Sequence, residues 1–227
     1  MEKNLVANNP VRALGPEEKE KGAMGLVMAR AGLGKTAVLV QLALDYMLLG
    51  NKVLHVSIGE GLEKTRTWYD DILSLFTDGE KIGNIPAVMK NRMIMTFKES
   101  SFSTSLFKER LDDLVAQDIY KPQCLIVDGY DFTGSSRESL EDFKRIMQEQ
   151  DLRMIWFSAI SHRDDTRTSK AGVPAPCHEV DDLFDAILLI RPEGEAIHLD
   201  ILRCDFCATD PDAGLALDPS TMLIKKI

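Results

Sequence analysis

Apolar and polar positions along the chain follow two different patterns. Short apolar runs predict strands at residues 23–29, 52–58, 92–97, 123–128, 153–159, 186–190 and 197–202. The first five runs are apolar almost throughout, which is typical of parallel strands covered by helices on both faces. Residues 197–202, IHLDIL, alternate instead, and this pattern predicts a half-exposed antiparallel strand at the edge of the sheet.

Longer segments between these runs predict helices. Residues 35–49 are apolar on nearly every side, which predicts a buried helix with Gly50 and Asn51 as its left-handed cap. Ser135 and Glu138 have the spacing of a capping box, which predicts that another helix begins there. The order βαβαβαβαβ followed by a strand-rich tail indicates an α/β fold with right-handed parallel crossovers.

Composition and charge are those of an ordinary folded domain. The 227 residues are 44% hydrophobic and 28% charged, and we expect one domain over residues 22–227 after a polar, exposed or mobile arm at residues 1–21. The net charge of −9 disfavours general binding to nucleic acid. No apolar run is long enough to span a membrane and no secretory signal begins the chain, so we expect a cytoplasmic protein.

The stretch ARAGLGKT, residues 29–36, nearly matches the phosphate-binding pattern G-x-x-x-x-G-K-[ST]. Ala29 replaces the first glycine, and its methyl group is a small intrusion where φ is negative. The stretch lies between a predicted strand and a predicted helix, as the motif requires, although GKT at a helix start can also occur by chance. The predicted contacts to nucleotide phosphates come from Arg30, Ala31, Gly32, Leu33, Gly34, Lys35, Thr36 and Ala37.

Two of these side chains have separate predicted roles. Lys35 would contact the β- and γ-phosphates, and the Thr36 hydroxyl would bind Mg²⁺. Asp128 ends the buried run CLIVD, from which a carboxylate can reach the same ion. An isolated aspartate at a strand end is more often a cap, but its combination with the GKT motif predicts a Walker B position. The predicted ligands are therefore ATP and Mg²⁺.

These motifs resemble those of the RecA-like ATPases, in particular the ATPase domain of hexameric replicative DNA helicases and the circadian-clock and RadA-type relatives. ARAGLGKTA looks like the helicase-type loop, in which alanine also occupies the first glycine position. VLHVSIGEGLEKT resembles the segment that carries the catalytic glutamate, which matches Glu60. The resemblance implies a three-layer P-loop fold with a mainly parallel sheet flanked by helices and antiparallel strands at the C-terminal end. Without it, Glu60 could equally belong to a polar turn that caps a helix.

The sequence departs from that family at two positions. A glutamine that senses the γ-phosphate would fall at Ile160, and the arginine finger would fall at Asp205, next to Arg203 at the position of the family lysine. Residues 162–180 match the segment that lines the DNA channel, but they contain no aromatic residue for base stacking, so we expect a solvated, mobile loop. DNA unwinding is therefore disfavoured.

The cysteines offer one alternative site. In a cytosolic protein we expect Cys124, Cys177, Cys204 and Cys207 to be thiols. Cys204 and Cys207, with Cys177 and His178, could instead bind zinc if the chain turns between them; ordinary small buried residues are the favoured interpretation.

Three functional hypotheses remain. The favoured one is a slow, Mg-dependent ATPase that couples its nucleotide state to an unidentified protein partner or to copies of itself. The second is a regulatory module that binds nucleotide without hydrolysing it, and the third is a nucleic-acid-dependent motor.

Overall fold

A computed structural model describes residues 10–14, 22–76, 85–207 and 214–227. Within them the strands are β1 Ala23–Ala29, β2 Val53–Ile58, β3 Arg92–Phe97, β4 Cys124–Asp128, β5 Met154–Ile160, β6 Ala186–Glu193, β7 Ala196–Cys204, β8 Leu215–Leu217 and β9 Ile224–Lys226. The α-helices are α1 Lys35–Leu48, α2 Leu62–Phe76, α3 Ile85–Met89, α4 Thr104–Ala116 and α5 Arg137–Glu149. Short 3-10 helices lie at Pro10–Leu14, Glu99–Ser101, Cys177–Glu179 and Asp181–Leu183.

The strands form one sheet in the order β3-β2-β4-β5-β1-β6-β7-β8-β9. Pairs from β3 to β6 are parallel, and pairs from β6 to β9 are antiparallel. This arrangement confirms the predicted α/β fold class. The prediction that residues 197–202 form an edge strand is wrong, because β8 pairs with the outer side of β7 through Ile197 and His198.

Helices cover both faces of the sheet, and each face has its own apolar core. The side chains of β1, β2, β4 and β5 alternate between the two faces, as the pleat requires. Trp156 packs with α1 and α2 residues on one face, whereas Phe157 packs with Phe143 of α5 on the other. Both layers bury strands that expose almost nothing to solvent, which explains their continuous apolar sequences.

The predicted end of α1 is confirmed, whereas the predicted start of α5 is one residue too early. The Gly50 amide donates to the Met47 carbonyl oxygen over 3.0 Å, and the following amide donates to Tyr46 over 3.0 Å, as in a Schellman cap. At α5 the extended cap residue is Ser136, whose Oγ accepts from the Ser139 amide. The capping box predicted at Ser135 is therefore absent, because the neighbouring serine takes the cap position.

The N-terminal arm is partly buried where the structure describes it. Val11 and Leu14 pack into the core, and Arg12 lies 3.2 Å from the Asp45 carboxylate on α1. The expectation of an exposed or mobile arm is therefore wrong for residues 10–14. Residues 1–9 and 15–21 of the predicted arm lie outside the described residues.

The predicted state of the cysteines is only half right. The structure joins Cys204 and Cys207 in a disulfide, because the chain turns where β7 ends. Cys124 and Cys177 are buried free thiols, and burial raises the pKa of Cys124 to about 12. No group of three or more metal-ligating side chains is found among the residues that the structure covers, so the zinc interpretation gains no support.

The segment at residues 162–180 packs more tightly than a solvated loop would. Val173, Ala175 and Cys177 are buried, and Thr168 pairs with Pro174 in an isolated β-bridge. The prediction of a mobile loop is therefore wrong for its second half, whose small apolar residues anchor it against the core. No helix in the described part of the chain is long and apolar enough to cross a membrane.

Candidate functional site

The carboxyl ends of the parallel strands surround two adjoining cavities of about 640 and 270 Å³. This is the edge at which ligands bind in open α/β sheets, because the loops that follow the strands converge there. The residues that line both cavities are Lys35, Thr36, Ser57, Glu60 and Asp128. Four of these five belong to the site predicted from sequence.

The phosphate-loop segment joins β1 to α1 and leaves the start of that helix open. Gly32 and Gly34 both have positive φ, at 78° and 86°, as the motif predicts. No side chain caps the helix at Gly34, so the amides of its first turn have no acceptor within the helix. These N–H groups and the positive end of the helix dipole make this corner of the cavity favourable for an anion.

Lys35 supplies a cation at the same corner. Its Nζ lies 3.4 Å from the Arg30 carbonyl oxygen. Burial lowers the pKa of Lys35 below its usual value, and the nearby Asp128 carboxylate raises it again. A partly desolvated ammonium group of this kind gains most from a bound anion, which restores the interactions lost with water.

The side chains of α1, β4 and β5 meet in a hydrogen-bonded chain. Thr36 Oγ1 donates to Asp128 Oδ2 over 2.7 Å, and Ser158 Oγ donates to Asp128 Oδ1. Ser158 Oγ in turn accepts from the Gly129 amide over 3.1 Å. A carboxylate and a hydroxyl at this spacing are the oxygen ligands that Mg²⁺ prefers, so the residues present fit the ion.

Sequence reasoning did not assign Ser158 to the metal side of the site. The available signal was a hydroxyl within the otherwise apolar strand β5, at a position that is buried in the structure. Such a group needs a partner, and Asp128 on the neighbouring strand provides it.

Glu60 follows β2 and lines both cavities, but it is engaged with a neighbour. Its Oε1 lies 2.6 Å from Lys64 Nζ, one turn further along α2, and these side chains are 52% and 61% exposed. An exposed pair of this kind contributes little to stability. The structure therefore brings Glu60 to the same cavity as Lys35 without fixing it by buried contacts.

The two positions at which the sequence departs from the resembled family lie in different places. Ile160 is 45% exposed and lines the larger cavity, so an apolar side chain does occupy its rim. Arg203 donates to the carbonyl oxygens of Asp181 and Phe184 over 2.6 and 3.1 Å, and neither it nor Asp205 lines the two cavities. Arg203 therefore stabilises the backbone of its own chain.

Comparison with known proteins gives a likeness of fold. No family model matches the chain, and no curated protein matches it. Among solved structures, the ATPase domain of a helicase matches with a TM-score of 0.63 and 14% identity, over 92% of this chain and 86% of that one. The chain thus has a RecA-like P-loop fold, with a nine-stranded sheet in its described residues whose C-terminal strands are antiparallel.

Proposed function

We propose that this protein binds Mg·ATP and hydrolyses it slowly, with residues 22–227 acting as one nucleotide-binding domain. The observation that supports this most directly is the hydrogen bond between Thr36 and Asp128 beside the open start of α1. A hydroxyl and a carboxylate that fit Mg²⁺ thus lie in one cavity with a helix end that is favourable for an anion, and this combination supports a role in phosphoryl transfer. The helicase ATPase domain with the same fold agrees with this proposal.

In this proposal, some residues bind the nucleotide and others act in its hydrolysis. The loop amides from Arg30 to Ala37 and the Lys35 ammonium hold the phosphates and stabilise charge on the terminal group. Thr36 and Asp128 would hold Mg²⁺, which neutralises phosphate charge when bound. A carboxylate on the rim orients and deprotonates water, a role that the family resemblance assigns to Glu60. The apolar Ile160 in the cavity favours slow turnover.

A second candidate function is a nucleotide-binding module without turnover. The ion pair between Glu60 and Lys64 favours it, because one oxygen of the candidate base is already engaged by an ammonium group. In either case, coupling to a protein partner or to further copies of the chain, and a cytoplasmic location, stay predictions. Dependence on nucleic acid is the least favoured hypothesis, because the net charge is −9.

The test of the proposed function compares two lysine variants. Titration calorimetry should show that Mg·ATP binds to the wild type and to the control variant Lys121→Ala. Lys121 lies just before β4, at the edge of the sheet opposite the cavities. In Lys35→Ala the affinity should fall by about a hundredfold, because the phosphates lose a charge-assisted contact in a partly buried site. Equal affinities for the two variants, or no binding to the wild type, would contradict the proposal.

A further inference from the structure

The two cavities share the corner at the phosphate loop and then extend in different directions. Beyond the residues common to both, the larger cavity continues along the ends of β3, β4 and β5, whereas the smaller one continues towards α2 and the C-terminal strands. Only the smaller cavity is lined by Gly32 and Gly34 of the phosphate loop, by Trp68 of α2 and by Met222. A nucleotide anchored by its phosphates at the shared corner therefore has two directions in which its nucleoside could extend.

Trp68 offers a flat apolar surface in the smaller cavity. It is half-buried and packs against the core on the α1 face of the sheet, so the core holds the indole in place while part of it lines the cavity. Within the described part of the chain, no aromatic ring packs against it, whereas Phe102, Tyr130 and Phe132 in the larger cavity pack edge-to-face, with ring centroids 6.1 and 4.9 Å apart. Because a base stacks on an open ring face, Trp68 is the better stacking surface.

The turn between β8 and β9 forms a wall of the smaller cavity next to the phosphate loop. Gln41 of α1 is fully buried and fixes this turn at two points. Its Nε2 donates to the Met222 carbonyl oxygen over 2.9 Å, and its Oε1 accepts from the Ile224 amide over 2.8 Å. Met222 Sδ would lie 3.2 Å from a Cβ built on Gly34, so the thioether lies against the loop. A polarizable apolar wall of this kind packs well against an aromatic base.

The polar side chains next to Trp68 already have partners. Lys64 Nζ lies 2.6 Å from the Glu60 carboxylate, and Thr65 Oγ1 donates to the Gly61 carbonyl oxygen over 3.4 Å. Adenine and guanine differ in the hydrogen-bonding groups on the edge of the ring, and strong discrimination between them needs side chains placed to bond those groups. Lys64 is exposed and Thr65 is bonded to its own helix, so neither provides a fixed reader of that edge.

We propose that the smaller cavity binds the nucleoside, with the base stacked on Trp68 beside Met222 and recognised by its flat face, so that adenine and guanine are accepted alike. The inference rests on the proposed nucleotide-binding function and adds the substrate class, which is purine nucleoside triphosphates. The phosphates then run from the glycines of the phosphate loop to the Thr36–Asp128 pair. The terminal phosphate faces the larger cavity, which stays open for the attacking water.

The experiment compares the wild type with Trp68→Leu, Trp68→Phe and Phe102→Leu. Leucine keeps apolar bulk against the core without a stacking face, whereas phenylalanine keeps a stacking face. Phe102 is the matched aromatic control, because it lines only the larger cavity. Titration calorimetry of Mg·ATP, Mg·GTP and Mg·tripolyphosphate, which has no nucleoside, separates contacts to the base from contacts to the phosphates. The unfolding midpoint of each variant is measured alongside.

The expected affinities follow from the loss of one stacked base. Trp68→Leu should lower the affinity for both nucleotides by about tenfold and leave that for tripolyphosphate unchanged. Trp68→Phe should bind both nucleotides within about threefold of the wild type, because the smaller ring still stacks. Phe102→Leu should match the wild type. The wild type should bind ATP and GTP with affinities within about fivefold of each other.

Fluorescence gives a second readout that does not depend on affinity. The chain has two tryptophans, and Trp156 is fully buried in the core. Saturating Mg·ATP should therefore quench the emission of the wild type but not that of Trp68→Phe, because only a stacked base contacts the indole of Trp68. Mg·tripolyphosphate should leave the emission of both proteins unchanged.

Each contrary result overturns the inference in a distinguishable way. Equal wild-type affinities for ATP and tripolyphosphate would reject the base site and leave the phosphate site intact. Equal losses for all three ligands in Trp68→Leu would assign Trp68 a structural role, and a larger loss in Phe102→Leu would put the base in the larger cavity. A preference for one purine above about tenfold would show that a hydrogen-bonding group reads the base. If neither ATP nor tripolyphosphate bound, the proposed function would be rejected as well.

Discussion

The inner wall of the larger cavity and its outer rim differ in how firmly their side chains are held. We define the inner wall as Lys35, Thr36, Asp128 and Ser158, and the outer rim as Glu60, Glu99, Ile160 and His162. The wall residues are buried or half-buried, and hydrogen bonds join Thr36, Asp128 and Ser158, whereas all four rim residues are exposed. A site that is already ordered binds without the entropy cost of arranging its groups, whereas an exposed rim must be organised during the reaction. Binding and hydrolysis should therefore respond to different substitutions.

The largest effect is expected where the wall would meet the metal. Asp128→Asn keeps a side chain of the same shape near Thr36 and Ser158 but removes the negative charge between them. The gain in ATP affinity on adding Mg²⁺ should fall by about 2–3 kcal/mol, within the range for contacts to a charged group, which corresponds to a factor of roughly 30 to 160. Calorimetry with and without Mg²⁺ measures that gain directly.

The matched control for the metal prediction is Asp113→Asn, at an exposed position on α4. It changes the net charge by the same amount and therefore reproduces any general electrostatic effect on the anionic ligand. The difference between the two variants then reports the local role of Asp128. An equal Mg²⁺ dependence in both variants would show that Asp128 serves only to accept hydrogen bonds from the Thr36 and Ser158 hydroxyls.

A second effect should come from the buried layer next to the wall. His55 on β2 is fully buried, its Nδ1 lies 3.0 Å from the Tyr69 hydroxyl, and burial lowers its pKa to about 4. Asp128 raises this pKa and Arg92 lowers it, both by smaller amounts. Between pH 6.5 and about 4, His55 is protonated in the unfolded chain but stays neutral in the folded chain. The free energy of unfolding should therefore fall as the pH drops from 6.5 towards 4.

The size of that pH effect follows from the shift. At pH 5 the loss should reach about 2 kcal/mol relative to pH 7.5, since each pKa unit corresponds to about 1.4 kcal/mol. Denaturant unfolding of the wild type and of His55→Gln at both pH values measures it. The glutamine keeps a polar partner for Tyr69 and does not titrate, so the loss should largely vanish. A variant that loses as much stability as the wild type would assign the pH dependence to other groups.

The same division between wall and rim describes what could be predicted from sequence. The phosphate loop and Asp128 were found because each follows a continuous apolar strand, a signal that lies within a few neighbouring residues. The role of Ser158 depends on which strands are adjacent, because its partner Asp128 lies on the neighbouring strand β4. Which strands pair, and in which register, depends on residues that are far apart in the chain, so the pattern within a short stretch of sequence does not reveal it.

Strand lengths show the same limit on a smaller scale. Residues 23–29 and 92–97 were predicted with the observed bounds, because polar or glycine-containing segments flank a compact apolar run. Strands β8 and β9 have three residues each, too few for any periodicity; β8 forms by pairing with the open side of β7, and β9 forms by pairing with β8. The same pairing makes β7 an inner strand.

The smallest expected effect concerns the apolar position on the rim. Ile160→Gln places a hydrogen-bond donor where the resembled family has its phosphate sensor, at the exposed end of β5. One added hydrogen bond to the reacting phosphate contributes about 1 kcal/mol, so phosphate release should rise by about fivefold. Mg·ATP affinity should stay unchanged, because the wall carries binding. Ile119→Gln, also exposed but outside both cavities, is the control and should leave both quantities unchanged. If Ile160→Gln instead strengthened binding with no change in rate, the rim would belong to the binding surface, and the distinction between wall and rim would be wrong.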